Sequence, residues 1–380
     1  ALPTPAGLAT PSTVSALKPT SPSSEGVASR IAWCASSLRG RPALAAASLS
    51  FVTAAPRPLR ARPLASRSLF VKVRPSRRLR DYDTLRFDIH QEGAAAVSFV
   101  ASEEAILDGA RKATGLDELG EGRWRDHFRT LLRAYDEESH LTEAGRQMVL
   151  GEIGGVLAAR LACEAAWKRD PSVLRHEIRR PIFILGLPRS GTTALHFLLG
   201  QDPANQALEY WLAAAPRPRP PRATWQREPA FQTAVQTIEW IYQTDPGLKA
   251  IHLLEADGPE ECRHLLLQSF LDHTFDSNAT LPSYTKYFEA QDMHPAYERH
   301  RDVLKLIGSP TPERRWVLKY PSHMRELDTL LDVYPDACIV QTHRDPVKVL
   351  PSMASLLFHV RQAWADGIDA RAVGEEELER

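Results

Sequence analysis

The chain has 380 residues, of which 43% are hydrophobic and 25% charged, a composition that is ordinary for a globular protein and sufficient for a core. The formal net charge is zero, so overall charge gives no indication of a nucleic-acid partner, and no segment approaches the ~18 consecutive apolar residues of a membrane-spanning helix. The four cysteines are far apart and form no C-x-x-C pair, which indicates neither a disulfide framework nor a metal site and favours a reducing, cytoplasmic compartment.

The first 80 residues differ in composition from the rest of the chain. Residues 1–80 contain 13 Lys or Arg and one acidic residue, Glu25, whereas residues 81–380 carry a net charge of −12. The segment is rich in Ala, Pro, Ser and Arg and has no helical or strand periodicity, so we predict a disordered extension. Its Arg-rich, acid-poor composition also resembles an organelle-targeting segment, which makes an organelle the alternative location. A basic arm that meets membranes or polyanions is a further interpretation.

We expect folded structure from Phe87 onward, beginning with a helical region over residues 87–175. Apolar residues recur at helical spacing in three stretches, 101–115, 124–135 and 147–167. Further along, residues 230–242 and 258–272 also have helical patterns.

Strand signals begin after the helical region. Three short apolar runs lie at 181–185, 316–319 and 337–342, each followed by loop and helix signals. Strands that alternate with helices predict a parallel α/β sheet with right-handed crossovers, flanked by helices. We therefore predict an α/β domain over residues 176–380.

The first strand leads into a glycine-containing loop, Gly186-Leu-Pro-Arg-Ser-Gly191. The two glycines are five residues apart, as in P-loops, and Thr192 and Thr193 then open a helix. Such a loop points successive backbone amides at an anion, and the start of the helix adds partial positive charge. The lysine that follows the second glycine in nucleotide triphosphatases is replaced by Thr192, and the cation is Arg189 inside the loop. This arrangement favours binding of a phosphosulfate, with no metal required. The expected binding residues are Pro188, Arg189, Ser190, Gly191, Thr192 and Thr193.

A second anion-binding motif follows the last strand, at His343-Arg-Asp-Pro346. Pro346 suits the first position of a helix, on which Ser352 lies about two turns beyond Arg344. An arginine leaving a strand and a serine on the next helix can hold one phosphate from two sides, through a forked ionic contact and a hydroxyl.

Together these motifs resemble the sulfotransferases that use 3′-phosphoadenosine 5′-phosphosulfate (PAPS), in particular the bacterial-type family with a helical N-terminal region and a P-loop fold. Residues 256–262 and 316–323 also resemble this family. The resemblance implies transfer of a sulfuryl group from PAPS to a hydroxyl or amine of a small-molecule, lipid or sugar acceptor. It also implies that the loop binds the 5′-phosphosulfate and that Arg344 and Ser352 bind the 3′-phosphate. Family members usually continue beyond the second motif, so we expect the α/β domain to be C-terminally incomplete.

Three residues are the predicted catalytic groups. Arg189 and the loop amides would stabilise the sulfuryl oxygens, and Lys319 ends a strand at the carboxyl edge, where it matches a family lysine near the sulfuryl group. His323 follows four residues later, and imidazole titrates near neutral pH, so it is the predicted base. Glu209 and Glu261 remain alternative bases; the family's Trp-Glu pair is altered here, with Glu209 ahead of the tryptophan.

Two other functions stay open at this point. A P-loop kinase or nucleotide triphosphatase would depend on magnesium, and a non-catalytic nucleotide-binding protein of the same fold would bind the donor without turnover. The acceptor and the oligomeric state have no signal in the sequence.

Overall fold

The computed structural model describes residues 98–379, so the predictions for residues 1–80 and for the start of folding at Phe87 lie outside the described residues. Its centre is a sheet of four strands, in the order β2-β3-β1-β4. The strands are β1 Ile182–Leu185, β2 Asn205–Ala207, β3 Arg315–Lys319 and β4 Cys338–Gln341. All three pairings are parallel, which confirms the predicted parallel α/β sheet.

The sheet is covered on both faces, as its apolar strands require. On one face Ile182, Ile184 and Val317 pack against the helix that follows the glycine-containing loop 186–191. Alternate residues, such as Phe183 and Leu318, face the large hydrophobic core on the other side. Because β1 pairs with both β3 and β4, the segments that follow these three strands emerge side by side at one edge.

Helices make up most of the remaining structure. They are α1 Glu103–Thr114, α2 Trp124–Glu138, α3 Glu143–Arg169, α4 Thr192–Gly200, α5 Tyr210–Ala214, α6 Pro229–Thr244, α7 Leu248–Ile251, α8 Arg263–Leu266, α9 His273–Asn278, α10 Pro282–Glu289, α11 His294–Gly308, α12 Leu327–Val333, α13 Pro346–Trp364 and α14 Ala370–Glu379. Short 3-10 turns lie at Pro171–Arg175, Arg222–Arg227, Leu267–Ser269 and Pro321–Met324. Helices α1–α3 confirm the predicted helical region ahead of the sheet. Within residues 98–379, no helix combines the length and the apolar composition that a membrane crossing requires.

Two helix starts follow the expected chemistry. The Thr142 hydroxyl accepts a hydrogen bond from the Gly145 amide at 2.9 Å and caps α3. Helix α13 begins at Pro346, as predicted, and the Asp345 carboxylate caps it by accepting from the Val347 amide at 3.1 Å. The cap fixes the direction of α13 relative to Arg344, which immediately precedes it.

One local prediction was wrong, and one strand was missed. Residues 258–272 form only the four-residue helix α8 and a 3-10 turn, and the chain then changes direction at Phe270, whose φ is +53°. Strand β2 was missed because its sequence, Asn-Gln-Ala, has no apolar run, and its strand geometry comes from pairing with β3.

The helical region and the sheet share one large core. Its buried side chains include Phe128 and Ile153 from the helical region as well as Phe183 and Ile339 from the sheet. Arg160 of α3 connects the regions further, because its guanidinium donates to the carbonyls of Leu119 and, at 2.9 Å, Gln268. The helical region and this face of the sheet therefore share a continuous interior.

Candidate active site at the carboxyl edge of the sheet

The loop between β1 and α4 has the backbone conformation that its glycines permit. Gly186 has φ +142° and Gly191 has φ +95°, while Arg189 between them also has a positive φ of +67°. A Cβ atom at Gly186 would lie 2.4 Å from Oγ1 of Thr342, so the loop can pass this close to the end of β4 only without a side chain. The Ser190 hydroxyl completes the contact at 2.7 Å from the same Thr342 oxygen.

The structure brings the two predicted anion motifs into direct contact. Nε of Arg189 donates to Oγ of Ser352 at 3.2 Å, and Nη1 of Arg344 donates to the Arg189 carbonyl at 2.8 Å. The other end of the Arg189 guanidinium donates to the carbonyl of Ile251 at 2.7 Å. Residues separated by more than 150 positions in sequence thus form one cationic patch beside the loop amides.

The remaining predicted loop residues lie at the start of α4 or just before it, and they differ in exposure. Thr192 is buried at the start of α4, whereas Pro188 and Thr193 are half-buried and Gly191 is exposed. Within the described residues, the amides from Ser190 to Thr193 lie at the N-terminus of a nine-residue helix, where the helix dipole favours an anion.

Lys319 ends β3 and lies beside β1, directly opposite Ile184. Its side chain is only 3% exposed, and its ammonium forms an ion pair with Glu261. Arg263 lies 3.9 Å from the same carboxylate. Burial alone would raise the pKa of Glu261, but the charges of Lys319 and Arg263 outweigh it and hold this pKa below its usual value. The carboxylate is therefore ionised at neutral pH, next to a buried cation.

Glu209 forms a separate ion pair, away from Lys319 and Glu261. Its carboxylate accepts from Nη2 of Arg219 at 2.9 Å and from Nε at 3.2 Å, and the same guanidinium donates to the Ala207 carbonyl at 2.6 Å. Burial raises the pKa of Glu209 even though Arg219 acts in the opposite direction. These contacts tie the proline-rich loop to β2 and leave Glu209 with a structural partner.

His323 lies on the core side of the sheet. Its ring is 0% exposed and packs edge-on against Phe183 at 5.2 Å between ring centroids. Its Nδ1 shares a hydrogen bond of 2.7 Å with the Tyr297 hydroxyl. Burial, and then the neighbouring His300, hold the pKa of His323 well below its usual value. The structure therefore brings Arg189, Arg344 and Ser352 together and gives Lys319 an acidic partner, but it does not bring His323 into contact with the loop.

Sequence reasoning missed three contributors to the site. Thr342 supports the loop through Ser190, Ile251 accepts from Arg189, and Arg263 adds positive charge beside Glu261. The position of Thr342 at the end of the last strand was an available signal. The other two depend on how distant segments pack, for which the sequence offered no pattern.

Several known proteins are similar to this chain in sequence and in fold. The sequence profile described as the Sulfotransferase family matches residues 181–379. Among solved structures, the chain is similar to sulfotransferase STF1 from Mycobacterium tuberculosis, with 40% identity, a TM-score of 0.70, and coverage of 74% of this chain and 78% of that one. It is also similar to sulfotransferase STF9 from Mycobacterium avium, with 28% identity, a TM-score of 0.67, and coverage of 75% and 73%.

Curated relatives give a more distant match. The omega-hydroxy-beta-dihydromenaquinone-9 sulfotransferases Stf3 of Mycobacterium bovis and Mycobacterium tuberculosis are each 27% identical over 203 residues, which is 51% of this chain. The chain spans about half the length of these curated relatives, since the match covers 50% of each.

Proposed function

Since this chain belongs to the sulfotransferase family, we propose that it transfers a sulfuryl group from PAPS to a hydroxyl or amine of a small-molecule acceptor. The observation that carries the proposal is the contact of Arg189 with Ser352 and of Arg344 with the Arg189 carbonyl. PAPS has two separate anionic groups on one nucleoside, and two anion motifs held side by side fit a ligand of that kind.

Each anionic end of PAPS would bind a separate set of protein groups. The amides of residues 190–193 and the guanidinium of Arg189 would hold the 5′-phosphosulfate at the start of α4. Arg344 and Ser352 would hold the 3′-phosphate, since a guanidinium and a hydroxyl both donate to phosphate oxygens. We propose no metal in this step, because the cations of the loop and of Lys319 neutralise the charge of the sulfuryl group and its leaving group.

The transfer step is an in-line displacement at sulfur. The acceptor oxygen forms the new bond to sulfur, the bond from sulfur to the 5′-phosphate oxygen breaks, and adenosine 3′,5′-bisphosphate leaves. Lys319 would stabilise the charge that develops on the bridging oxygen. We place the base at Glu261 rather than at His323 or Glu209, because Glu261 is ionised, half-buried and paired with Lys319. Its carboxylate would take the acceptor proton.

For the acceptor, we infer an alcohol on an apolar molecule. The curated relatives act, by their names, on an omega-hydroxy dihydromenaquinone. Here Leu187 in the phosphate loop is 40% exposed, and Leu253, two residues after the carbonyl partner of Arg189, is 46% exposed. Exposed apolar side chains next to a cationic patch fit a lipid whose hydroxyl reaches the sulfuryl group. A cytoplasmic location remains part of this proposal.

Calorimetric titration of the full chain tests the donor site. We expect adenosine 3′,5′-bisphosphate to bind more tightly than adenosine 5′-phosphate, because only the former has a group for Arg344 and Ser352. Loss of a charged hydrogen bond in Arg344→Ala should weaken bisphosphate binding by about 10- to 100-fold. The variant should leave binding of the 5′-phosphate nearly unchanged.

Lys348→Ala is the matched control, since Lys348 is an exposed cation in the first turn of α13, four residues beyond Arg344. Equal loss in both variants would mean that Arg344 contributes only general positive charge. Tighter binding of ATP with magnesium than of the bisphosphate would contradict the proposal and favour a kinase.

A further inference from the structure

Three potential metal ligands converge in the core beneath β3. Sγ of Cys262 and ring nitrogens of His300 and His323 all lie within 4.8 Å of one another. Cys262 precedes α8, His300 lies on α11, and His323 lies in the 3-10 turn after β3. All three residues are fully buried. Within residues 98–379 this is the one group of His, Cys or acidic side chains with such spacing.

The two imidazoles are oriented but incompletely satisfied. Nδ1 of His300 shares a 2.7 Å hydrogen bond with the Tyr334 hydroxyl, and Nδ1 of His323 shares one of the same length with the Tyr297 hydroxyl. Nε2 of each ring is buried without a hydrogen-bond partner. Buried polar atoms normally have partners, because leaving them unpaired destabilises the fold. Both free nitrogens belong to rings that surround the Cys262 thiol.

Metal binding requires neutral imidazoles and a thiolate, so a metal ion in this cluster would replace the proton of the Cys262 thiol.

We propose that Cys262, His300 and His323 form a buried structural site for one copper(I) ion. Thiolate and imidazole are ligands that soft d10 cations prefer. A monovalent ion with one thiolate and two neutral imidazoles has no net charge, which matters in a core where an unpaired charge is costly. Zinc(II) would leave a net positive charge and normally requires a fourth ligand. Binding breaks the S–H bond, releases its proton to solvent and forms the Cu–S bond, with no change in oxidation state.

The surrounding structure favours a positioning role for this ion. With metal–ligand distances of about 2.0–2.3 Å, donor atoms around a three-coordinate ion lie about 3.5–4 Å apart, so small side-chain rotations would close the site. The two tyrosines hold the outer ring nitrogens and so fix the orientation of each imidazole, as hydrogen-bond partners of metal ligands commonly do. The Cys262 amide also donates to the Lys319 carbonyl at 3.0 Å. The ion would thus join the segments that carry Lys319 and Glu261.

The test uses the full chain, purified under reducing conditions, with copper(I) delivered in competition with a colorimetric copper(I) chelator. We expect one tightly bound equivalent and a higher unfolding temperature when the site is filled. X-ray absorption at the copper edge should show one sulfur and two nitrogen ligands in the wild-type protein. Cys262→Ser should weaken binding by more than about 100-fold, since even loss of an outer partner costs 10- to 100-fold.

Cys163→Ser is the matched control, because Cys163 is an equally buried free thiol outside the cluster. It should keep the bound copper and the stabilisation. Absence of tight copper(I) binding by the wild type, a ligand set without sulfur, or unchanged binding by both Cys262→Ser and His323→Gln would overturn the site. Exclusive binding of zinc would overturn the choice of copper(I). Neither the copper titration nor the absorption measurement depends on PAPS binding or sulfuryl transfer.

Discussion

At the scale of single residues, the candidate active site is governed by how buried charges are paired. Lys319 is almost fully buried, and its ion pair with Glu261 lowers the pKa of that carboxylate against the opposing effect of burial. Arg263 strengthens the effect on the carboxylate. The outcome is an ionised acid at the strand edge where ligands of α/β sheets bind.

Replacing Glu261 by Gln should therefore abolish proton acceptance while keeping the shape of the side chain. We expect kcat to fall by about 10²- to 10⁴-fold, the usual contribution of a general base. Affinity for adenosine 3′,5′-bisphosphate should change little. Because the charges of Lys319 and Arg263 hold the pKa of Glu261 below its usual value, kcat of the wild type should lose this base only at acidic pH. Steady-state transfer assays with a hydroxylated lipid acceptor, followed against pH, measure both effects.

Asp257→Asn provides the comparison for this variant, since Asp257 is a nearby exposed acid that pairs with Arg222. Its kcat should stay close to that of the wild type. Full activity of Glu261→Gln would show that the acceptor proton goes to another group.

At the scale of elements, the passage from β1 to α4 forms the loop at which we propose that the donor binds. The strand pairs with β4 up to Leu185 and Gln341, and the chain then turns at Gly186 against Thr342. The turn directs the following amides toward one point at the helix N-terminus.

Gly186→Ala should disrupt this passage. The new Cβ would lie 2.4 Å from the Thr342 hydroxyl at a φ of +142°, so either the loop or the end of β4 must move. We expect a loss of about 1–3 kcal/mol in the free energy of unfolding, typical of a side chain forced into a strained backbone position. Weaker bisphosphate binding should accompany it. Denaturant unfolding and calorimetry measure the two quantities.

Gly151→Ala is the control for the added methyl group. Gly151 is exposed on α3, and apart from its chain neighbours and the adjacent helix backbone, no atom lies within 4 Å of the position that a methyl group would take there. Alanine should therefore stabilise the helix by about 0.5–1 kcal/mol. If Gly186→Ala proved as stable and as tight-binding as the wild type, the turn would not control the donor site.

At the scale of the whole molecule, polar contacts join the helical region, α1–α3, to the α/β domain that follows it. Arg299 of α11 pairs with Glu164 of α3 at 2.7 Å. Glu152, also on α3, accepts from the Asn278 amide at 3.2 Å. Burial raises the pKa of Glu152 to about 7, although Arg263 and Asn278 act in the opposite direction. One carboxyl group at this junction is therefore poised to titrate near neutral pH.

Glu152 should make the stability of the whole fold depend on pH. Its pKa is about 7 in the folded protein and 4.5 without the fold, so the folded state keeps the proton longer as pH rises. The free energy of unfolding should then fall between these values, by about 1–3 kcal/mol from this group. Glu152→Gln, which stays neutral, should match the wild type near pH 5 and exceed its stability at pH 8. Denaturant unfolding at both pH values measures the difference.

The control is Glu143→Gln, at an exposed position in the first turn of the same helix. The free energy of unfolding of this variant at pH 8 should not exceed that of the wild type by a comparable amount. Equal pH dependence of Glu152→Gln and the wild type would contradict the assigned titration.

The sequence by itself determined the fold class, and it located the glycine-containing loop 186–191 and the Arg344–Ser352 motif. Each of these is a local pattern: an apolar run that ends in glycine, two glycines five residues apart, or a strand end followed by a helix start. Such patterns specify backbone geometry within a few residues, and so the strands at Ile182–Leu185 and Arg315–Lys319 and the start of α13 were predictable.

Only the tertiary structure decided which side chains are buried together. Lys319 and Glu261 are 58 positions apart, and their pairing depends on how the loop before α8 packs against β3. The burial of His323 and its meeting with Cys262 and His300 likewise follow from α11 packing under the sheet. The physical reason is that burial and charge pairing are set by contacts between distant segments, whereas sequence periodicity reports only which face of one segment is apolar.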